Sequence, residues 1–180
     1  MLTASVTEPC VWVDIRARRS IDEEAYRYRF TETGGGLFGW ESATDVVVLL
    51  ATSPGPRAEH HLRSYVGDRG HLGEEIRMIY DASDGRCRFL GTWHTHPRGR
   101  AAPSHRDTST AAGMAQEVEV QLPSPLLLIK ATLPVLRSRV GLLSAFRWDR
   151  AKSSLEQWAM VIHVIDISWG SDRLRHLVES

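Results

Sequence analysis

The stretch Trp93-His94-Thr95-His96-Pro97-Arg98-Gly99-Arg100-Ala101-Ala102-Pro103-Ser104-His105-Arg106-Asp107 decides how this chain is read. Two histidines at i and i+2 of an extended segment project from one face of the strand. Both imidazoles can therefore reach one point, while Thr95 faces the other way. Ser104 and Asp107 have the S-x-x-D spacing of a helix N-cap and its N3 residue, which sets both side chains at the start of a helix. Two imidazoles and a carboxylate are a donor set suited to Zn²⁺. Three protein ligands leave a fourth tetrahedral position open, the feature that separates a catalytic zinc site from a structural one. Either pattern alone is commonplace; their joint occurrence, with seven residues between His96 and Ser104, carries the weight.

Working outward, Cys87 to His96 reads as the strand bearing the histidine pair, Pro97 to Pro103 as a rigid loop, and Ser104 to Leu122 as a helix ending before Pro123-Ser124-Pro125. Upstream, Val11 to Ile15 reads as a first strand. Ser20-Ile21-Asp22-Glu23 has the form of a capping box opening a helix, with Ile21, Ala25 and Tyr28 on one face. The run Thr33 to Gly36 is expected to halt that helix. Leu37 to Trp40 and Asp45 to Thr52 form a strand pair, the second rich in valine. Ser53 to Pro56 is a loop, Leu62 to Val66 a short strand, Glu74 to Tyr80 a helix and Asp81 to Arg86 a turn. Downstream, Leu126 to Leu133 and Arg139 to Trp148 read as strands joined by a turn near Pro134. Ser154 to Ile167 fits a helix, and Val161 to Ile167 fits a strand equally well. The expected class is α/β or α+β: a mixed sheet with flanking helices in a single domain over residues 1–150, with 151–180 a C-terminal segment packed on it.

The chain has 180 residues and a mass of 20.2 kDa, 42% apolar and 24% charged, which fits one folded domain and excludes disorder as its main character. Lys+Arg and Asp+Glu balance at 22 each, so no overall charge recruits nucleic acid or an anionic membrane. Apolar runs such as Val46 to Ala51 are far too short for a bilayer span, and the N-terminus lacks a secretory pattern. Cys10 and Cys87 form neither a disulfide framework nor a zinc-ligand pair. A cytoplasmic protein is expected, with no nucleic-acid or membrane partner.

The pattern His94-Thr95-His96-Pro97, six residues, Ser104, two residues, Asp107 resembles the signature of the JAMM (MPN-plus, JAB-domain) zinc metalloproteases. That family places a glutamate upstream in a segment of form E-x-x-G-x-x-x-G, and Glu32-Thr33-Gly34-Gly35-Gly36-Leu37-Phe38-Gly39 matches it. The resemblance spans about residues 30 to 132, and the wording Gly-Thr-Trp-His-Thr-His-Pro is most similar to small bacterial JAB peptidases of ubiquitin-like conjugation or antiphage operons. It implies a JAB/MPN fold, one catalytic Zn²⁺ held by His94, His96 and Asp107, Glu32 as general base and Ser104 as the oxyanion-steadying hydroxyl. Gly35 and Gly39 would permit close backbone packing beside the site. The implied activity is that of an isopeptidase or peptidase cleaving after the C-terminal tail of a ubiquitin-like modifier. Its implied partners are that modifier, its conjugates, and operon-encoded activating and conjugating enzymes. The alternative is a non-catalytic MPN-type interaction module. Such modules usually lack one or more ligands, whereas all five functional positions are filled here.

Other candidates carry ordinary expectations. Glu41 is a solvated strand-end charge, and His105 turns away from the ligand point. His60, His61 and His71 are solvent-facing or substrate-contacting, and His163 and His176 lie in the tail. Cys10 and Cys87 are buried small hydrophobes, and Trp93 is core. Arg98 and Arg100, on the loop between the histidine strand and the helix of Ser104 and Asp107, either border a substrate groove or are simply solvated.

Overall fold

The computed structural model describes residues 8–42, 44–118, 121–132, 141–166 and 176. Among them nine strands and three helices follow one another along the chain. The first strand, β1 (Cys10–Asp14), ends on a buried aspartate whose Oδ1 accepts the Arg16 backbone N–H at 2.7 Å. That bond makes Asp14 the N-cap of α1 (Ile15–Arg27). The capping box expected at Ser20 is therefore overturned. Ser20 lies inside the helix, its hydroxyl donating back to the Arg16 carbonyl at 3.2 Å. The inward stripe of α1 is Ala17, Ile21, Glu24 and Ala25, the spacing of one helical face.

Thr33 to Gly36 does not halt this helix, which already ends at Arg27 with Tyr28 as its cap. The glycines instead open β2 (Gly34–Glu41). A Cβ on Gly35 would fall on the Thr52 carbonyl oxygen, and one on Gly34 on the Trp93 carbonyl and the Tyr65 ring. Here glycine marks close backbone approach. β2 lies between β3 (Asp45–Ala51) and β6 (Arg88–Pro97), antiparallel to both. The region after β3 forms a separate hairpin of β4 (Glu59–His61) and β5 (Ser64–Val66), where a single strand over Leu62 to Val66 is expected. α2 (Arg69–Ala82) starts earlier than Glu74 because Asp68 caps it, accepting the His71 N–H at 3.2 Å. Its end takes in Asp81 and Ala82, and the turn that follows places Asp84 and Gly85 at positive φ.

After β6 comes α3 (His105–Gln116), shorter than the expected run to Leu122. β7 (Leu126–Thr132) lies parallel to β6, and β8 (Leu142–Asp149) antiparallel to β7. The turn near Pro134 lies outside the described residues. β9 (Ser154–His163) is a strand, so the helical alternative for the tail fails, and the strand begins ahead of Val161. It pairs with β8 on one side and with β1 on the other, closing a barrel of order β1-β3-β2-β6-β7-β8-β9.

Inside the barrel and under α1 sits the main core: Val11, Val13, Ala17, Ile21, Leu37, Trp93, Leu126 and Leu128 are among its members. Lys130 shares the face of Leu126 and Leu128 and is buried. It reaches Asp22 of α1 at 2.5 Å, and Arg18 pairs with the same carboxylate at 2.7 Å. Burial pulls the Lys130 ammonium pKa down, against the raising effect of Asp22. A second apolar cluster of Phe38, Leu49, Ile79 and Cys87 lies under α2. Glu41, expected to be simply solvated, pairs with Arg147. Among the described residues no helix is long and apolar enough to cross a membrane.

Candidate metal centre

Strand alternation along β6 sorts its residues as its pattern predicts. Trp93 and Thr95 turn inward, each 1% exposed, with the Trp93 indole N–H donating to the Thr52 carbonyl at 3.0 Å. His94 and His96 turn to the opposite face, where their Nε2 atoms lie 3.0 Å apart. α3 brings the third donor. Asp107 Oδ1 is 3.2 Å from His94 Nε2, and Oδ2 is 3.5 Å from His96 Nε2. Two Nε2 atoms on one tetrahedral zinc, with bonds of about 2.0–2.1 Å, stand about 3.3 Å apart. The donor spacing thus fits a metal ion. All three ligand atoms lie within 4.8 Å of one another, and His94, His96 and Asp107 are the cluster of this kind among the described residues.

Two of the three candidate ligands are held by groups outside the cluster. The Arg100 carbonyl can only accept, so His96 Nδ1 carries the proton it donates there at 2.9 Å. That bond fixes the tautomer and leaves the Nε2 lone pair facing the centre. Arg98 makes this return possible by taking φ 61°, with its N–H on the Thr132 carbonyl at 2.8 Å. Ser104 and Asp107 form a full capping box. The Ser104 N–H donates to Asp107 Oδ2 at 2.6 Å, and the Asp107 N–H donates to Ser104 Oγ at 3.3 Å. The helix cap thus orients the carboxylate.

Electrostatics follow from this crowding. Burial alone would raise the Asp107 carboxyl, but hydrogen bonds from His94 and His96, the His94 charge and the Ser104 hydrogen bond hold it well below the ordinary range. Burial opposes protonation of His96, yet the Asp107 bond, the Arg100 carbonyl and the nearby Glu32 charge raise its pKa. Glu32 is raised above an ordinary glutamate. Burial is the main cause; the His96, His94 and Arg106 charges pull it back and Asp107 adds to the rise.

Glu32 comes from far away in the sequence. The Thr95 N–H donates to the Thr33 carbonyl at 2.8 Å, the Thr33 N–H donates to Thr95 Oγ1 at 3.0 Å, and Gly34 sits opposite His94 in the β2–β6 register. Those contacts place Glu32 just ahead of the strand beside the histidines, where it senses their charge without joining the ligand cluster. Ser104 is exposed at the mouth, as are Arg98 and Arg100.

The remaining candidates lie elsewhere. His105, His163 and His176 are exposed, and His71 pairs with Glu75 at 3.2 Å on α2. Cys87 is fully buried, its thiol pushed up to about 12 by desolvation, whereas Cys10 is half-buried rather than core. Three neighbours of the site are not evident from residue spacing. These are the Arg100 carbonyl; His60, whose Nδ1–H donates to the Glu32 carbonyl at 3.0 Å; and Tyr65, which packs on Gly34. Burial and the charges of Glu32 and Asp107 raise the Tyr65 phenol, so it stays protonated. The run Glu59 to Val66 shows no alternation that would single out His60 and Tyr65; the folded hairpin pairs the two across its strands.

With this geometry described, comparison with known proteins is informative. Residues 16–149 match the family described as prokaryotic homologs of the JAB domain. The chain belongs to that family. Among curated relatives, it is 26% identical over 121 residues to "Probable metalloprotease y4qB" of Sinorhizobium fredii, covering 66% of this chain and 74% of that protein. It is 31% identical over 81 residues to a CD-NTase/cGAS isopeptidase of Escherichia coli, and 36% identical over 80 residues to one of Pseudomonas aeruginosa. Those two matches cover 44% and 43% of this chain, and 51% and 49% of the isopeptidases, so the JAB chain spans about half their length. The fold is that of a solution structure from Desulfitobacterium hafniense, at TM-score 0.64 and 15% identity, covering 85% of this chain and 92% of that one. A mixed α+β JAB domain with a His-His-Asp cluster fit for a metal ion is the result.

Proposed function

We propose that this JAB-domain protein is a zinc-dependent isopeptidase or peptidase that cleaves after the C-terminal tail of a ubiquitin-like modifier. The observation that carries the proposal is the convergence of His94, His96 and Asp107 on one point, with Glu32 beside them and outside the donor set. Relatives named metalloprotease and isopeptidase support it. His94, His96 and Asp107 would hold the zinc ion, which would supply Lewis acidity toward a carbonyl and acidify bound water. The chain's own residues do the rest. Glu32 accepts and relays a proton, its raised pKa bringing it toward the operating range of a general base. Ser104 Oγ, exposed at the α3 N-terminus, offers a donor to developing negative charge on the scissile carbonyl. Arg98 and Arg100 are exposed on the connecting loop, available to carboxylates or carbonyls of the modifier. Partners of this class are the modifier, its conjugates, and activating and conjugating enzymes encoded beside it.

The test is metal analysis joined to a cleavage assay. Purified protein is expected to hold near-stoichiometric zinc, lost in His94→Ala/His96→Ala and weakened in Asp107→Ala. Incubated with fusions of ubiquitin-like proteins encoded near its gene, it is expected to cut at a tail glycine located by mass spectrometry. A chain that binds no zinc under any loading condition, or cuts unfolded proteins generically, defeats the proposal.

A further inference from the structure

The β4–β5 hairpin stands outside the barrel sheet, yet it grips the residue that precedes β2 by both of its backbone polar groups. The Glu32 N–H donates to the His61 carbonyl at 2.8 Å, and the Glu32 carbonyl accepts from His60 Nδ1–H at 3.0 Å. Since a carbonyl cannot donate, this contact requires the Nδ1-protonated form of His60. The His60 ring lies nearly parallel on Tyr28, with centroids 3.7 Å apart and planes at 13°, so it has little freedom to turn away. Directly across the hairpin, Tyr65 pairs with His60 in register and packs its ring tip on Gly34. The base of the hairpin is itself tied down. Asp68 receives Arg57 Nε at 3.0 Å and Nη2 at 3.1 Å, and its N–H donates to the Pro54 carbonyl at 2.9 Å.

From the other side β6 holds the same short segment, through the reciprocal Thr33–Thr95 bonds and the Gly34–His94 pairing. Residues 32 to 34 are therefore fixed between the ligand strand and the hairpin. Without the hairpin, Glu32 would hang from one side only, and its carboxylate would sweep a wider arc beside the histidines.

We infer that His60 is a positioning residue for Glu32: by locking the Glu32 carbonyl, it fixes the carboxylate relative to the His94–His96–Asp107 centre. The catalytic part of this inference rests on Glu32 being the general base; the mechanical part does not. A misplacement of about 1 Å of a reacting group costs on the order of 10²-fold in rate, so His60→Ala is expected to lower kcat about 10- to 100-fold. KM should stay within about threefold, as expected for a loss confined to the transition state.

The experiment uses the full zinc-loaded chain and two readouts. Amide hydrogen exchange by NMR should show the Glu32 N–H exchanging about tenfold faster in His60→Ala, from loss of one hydrogen bond, with β1 and β9 amides unchanged. Turnover of the tail fusions should fall as stated with zinc content unchanged. His60→Asn, which offers a nitrogen where Nδ1 stood, should restore both. His60→Gln, whose nitrogen lies farther out, should not, and this pair decides the matter if His60→Ala fails to fold. Wild-type exchange and kcat in His60→Ala overturn the inference, and so do Asn and Gln variants that behave alike. If the wild type cleaves none of the fusions, the peptidase assignment fails while the exchange data still decide whether His60 clamps Glu32.

Discussion

Replacing Glu32 by glutamine separates two quantities that most active-site substitutions confound. The side chain keeps its shape, and among the described residues the carboxylate accepts no hydrogen bond; the contacts of residue 32 run through its backbone N–H and carbonyl. Glu32→Gln therefore orphans no buried partner. Its folded-state pKa is raised chiefly by burial, so the ionised form is disfavoured in the fold, and stability falls as pH rises through that pKa. The neutral amide removes that penalty. At pH 7 the metal-free variant is expected to be as stable as the parent or slightly more so, within about 0.5 kcal/mol. Turnover should move the other way, because an amide cannot accept the proton. Loss of a general base costs about 10²- to 10⁴-fold, or about 3 to 5 kcal/mol of barrier. Denaturant unfolding of metal-free protein gives the first quantity, and steady-state cleavage at verified zinc content gives the second. Activity within threefold of the parent at full zinc occupancy refutes the base assignment. A stability loss above about 1 kcal/mol refutes the picture of an unpartnered carboxylate.

Three further outcomes follow from the same contacts. Ser104→Ala should cost about 1 kcal/mol of stability, since the hydroxyl caps α3, and about 10²- to 10³-fold in rate if it is the oxyanion donor proposed above. Zinc content should hold, because the backbone N–H to Asp107 survives; a metal-free Ser104→Ala would contradict this. Gly35→Ala should destabilise by about 1–3 kcal/mol, lowering Tm by several degrees, because a Cβ there meets the Thr52 carbonyl. An unchanged melting curve removes the close-approach explanation for this glycine. Asp68, held down to about 2 by the Arg57 bond despite some desolvation, contributes stability that is present above its ordinary 3.8 and lost as pH falls toward 2. The stability gap between parent and Asp68→Asn should therefore be flat above pH 5 and shrink below pH 4; a constant gap in acid would show that the pair does not form.

What could be read from the sequence divides along a physical line. The histidine pair and the S-x-x-D turn are local devices whose geometry follows from strand alternation and helix capping, and the structure places those side chains together. The errors arose where a local pattern was outvoted at long range. Ser20 and Asp14 both offer a cap, but Asp14 also receives the Ile165 N–H at 2.9 Å, a contact 151 residues away along the chain. Three glycines read as a helix stop because no local rule reveals the Trp93 and Thr52 carbonyls that crowd Gly34 and Gly35, or the Phe38 and Leu72 side chains that crowd Gly36. In β9, half-buried Trp158 and Met160 alternate with exposed Gln157, Ala159 and Val161. That period is the signature of a strand with one face covered, but its apolar content alone also fits a helix.

The same division bears on how the centre is assembled. His94, His96 and Asp107 lie on one contiguous segment, so a short stretch of chain can bring the three donors near one another. Glu32 cannot join them by any local route; it arrives only when β2 zips onto β6 and Thr33 exchanges hydrogen bonds with Thr95 across 62 residues. The candidate ligands and Glu32 thus draw on different parts of the fold, the ligands on β6, the loop after it and the α3 cap, Glu32 on the β2–β6 pairing and the β4–β5 hairpin. Damage to β2 pairing should cost turnover before it costs zinc. For this JAB domain, zinc retained by a variant would therefore test the proposed ligands and not the proposed general base.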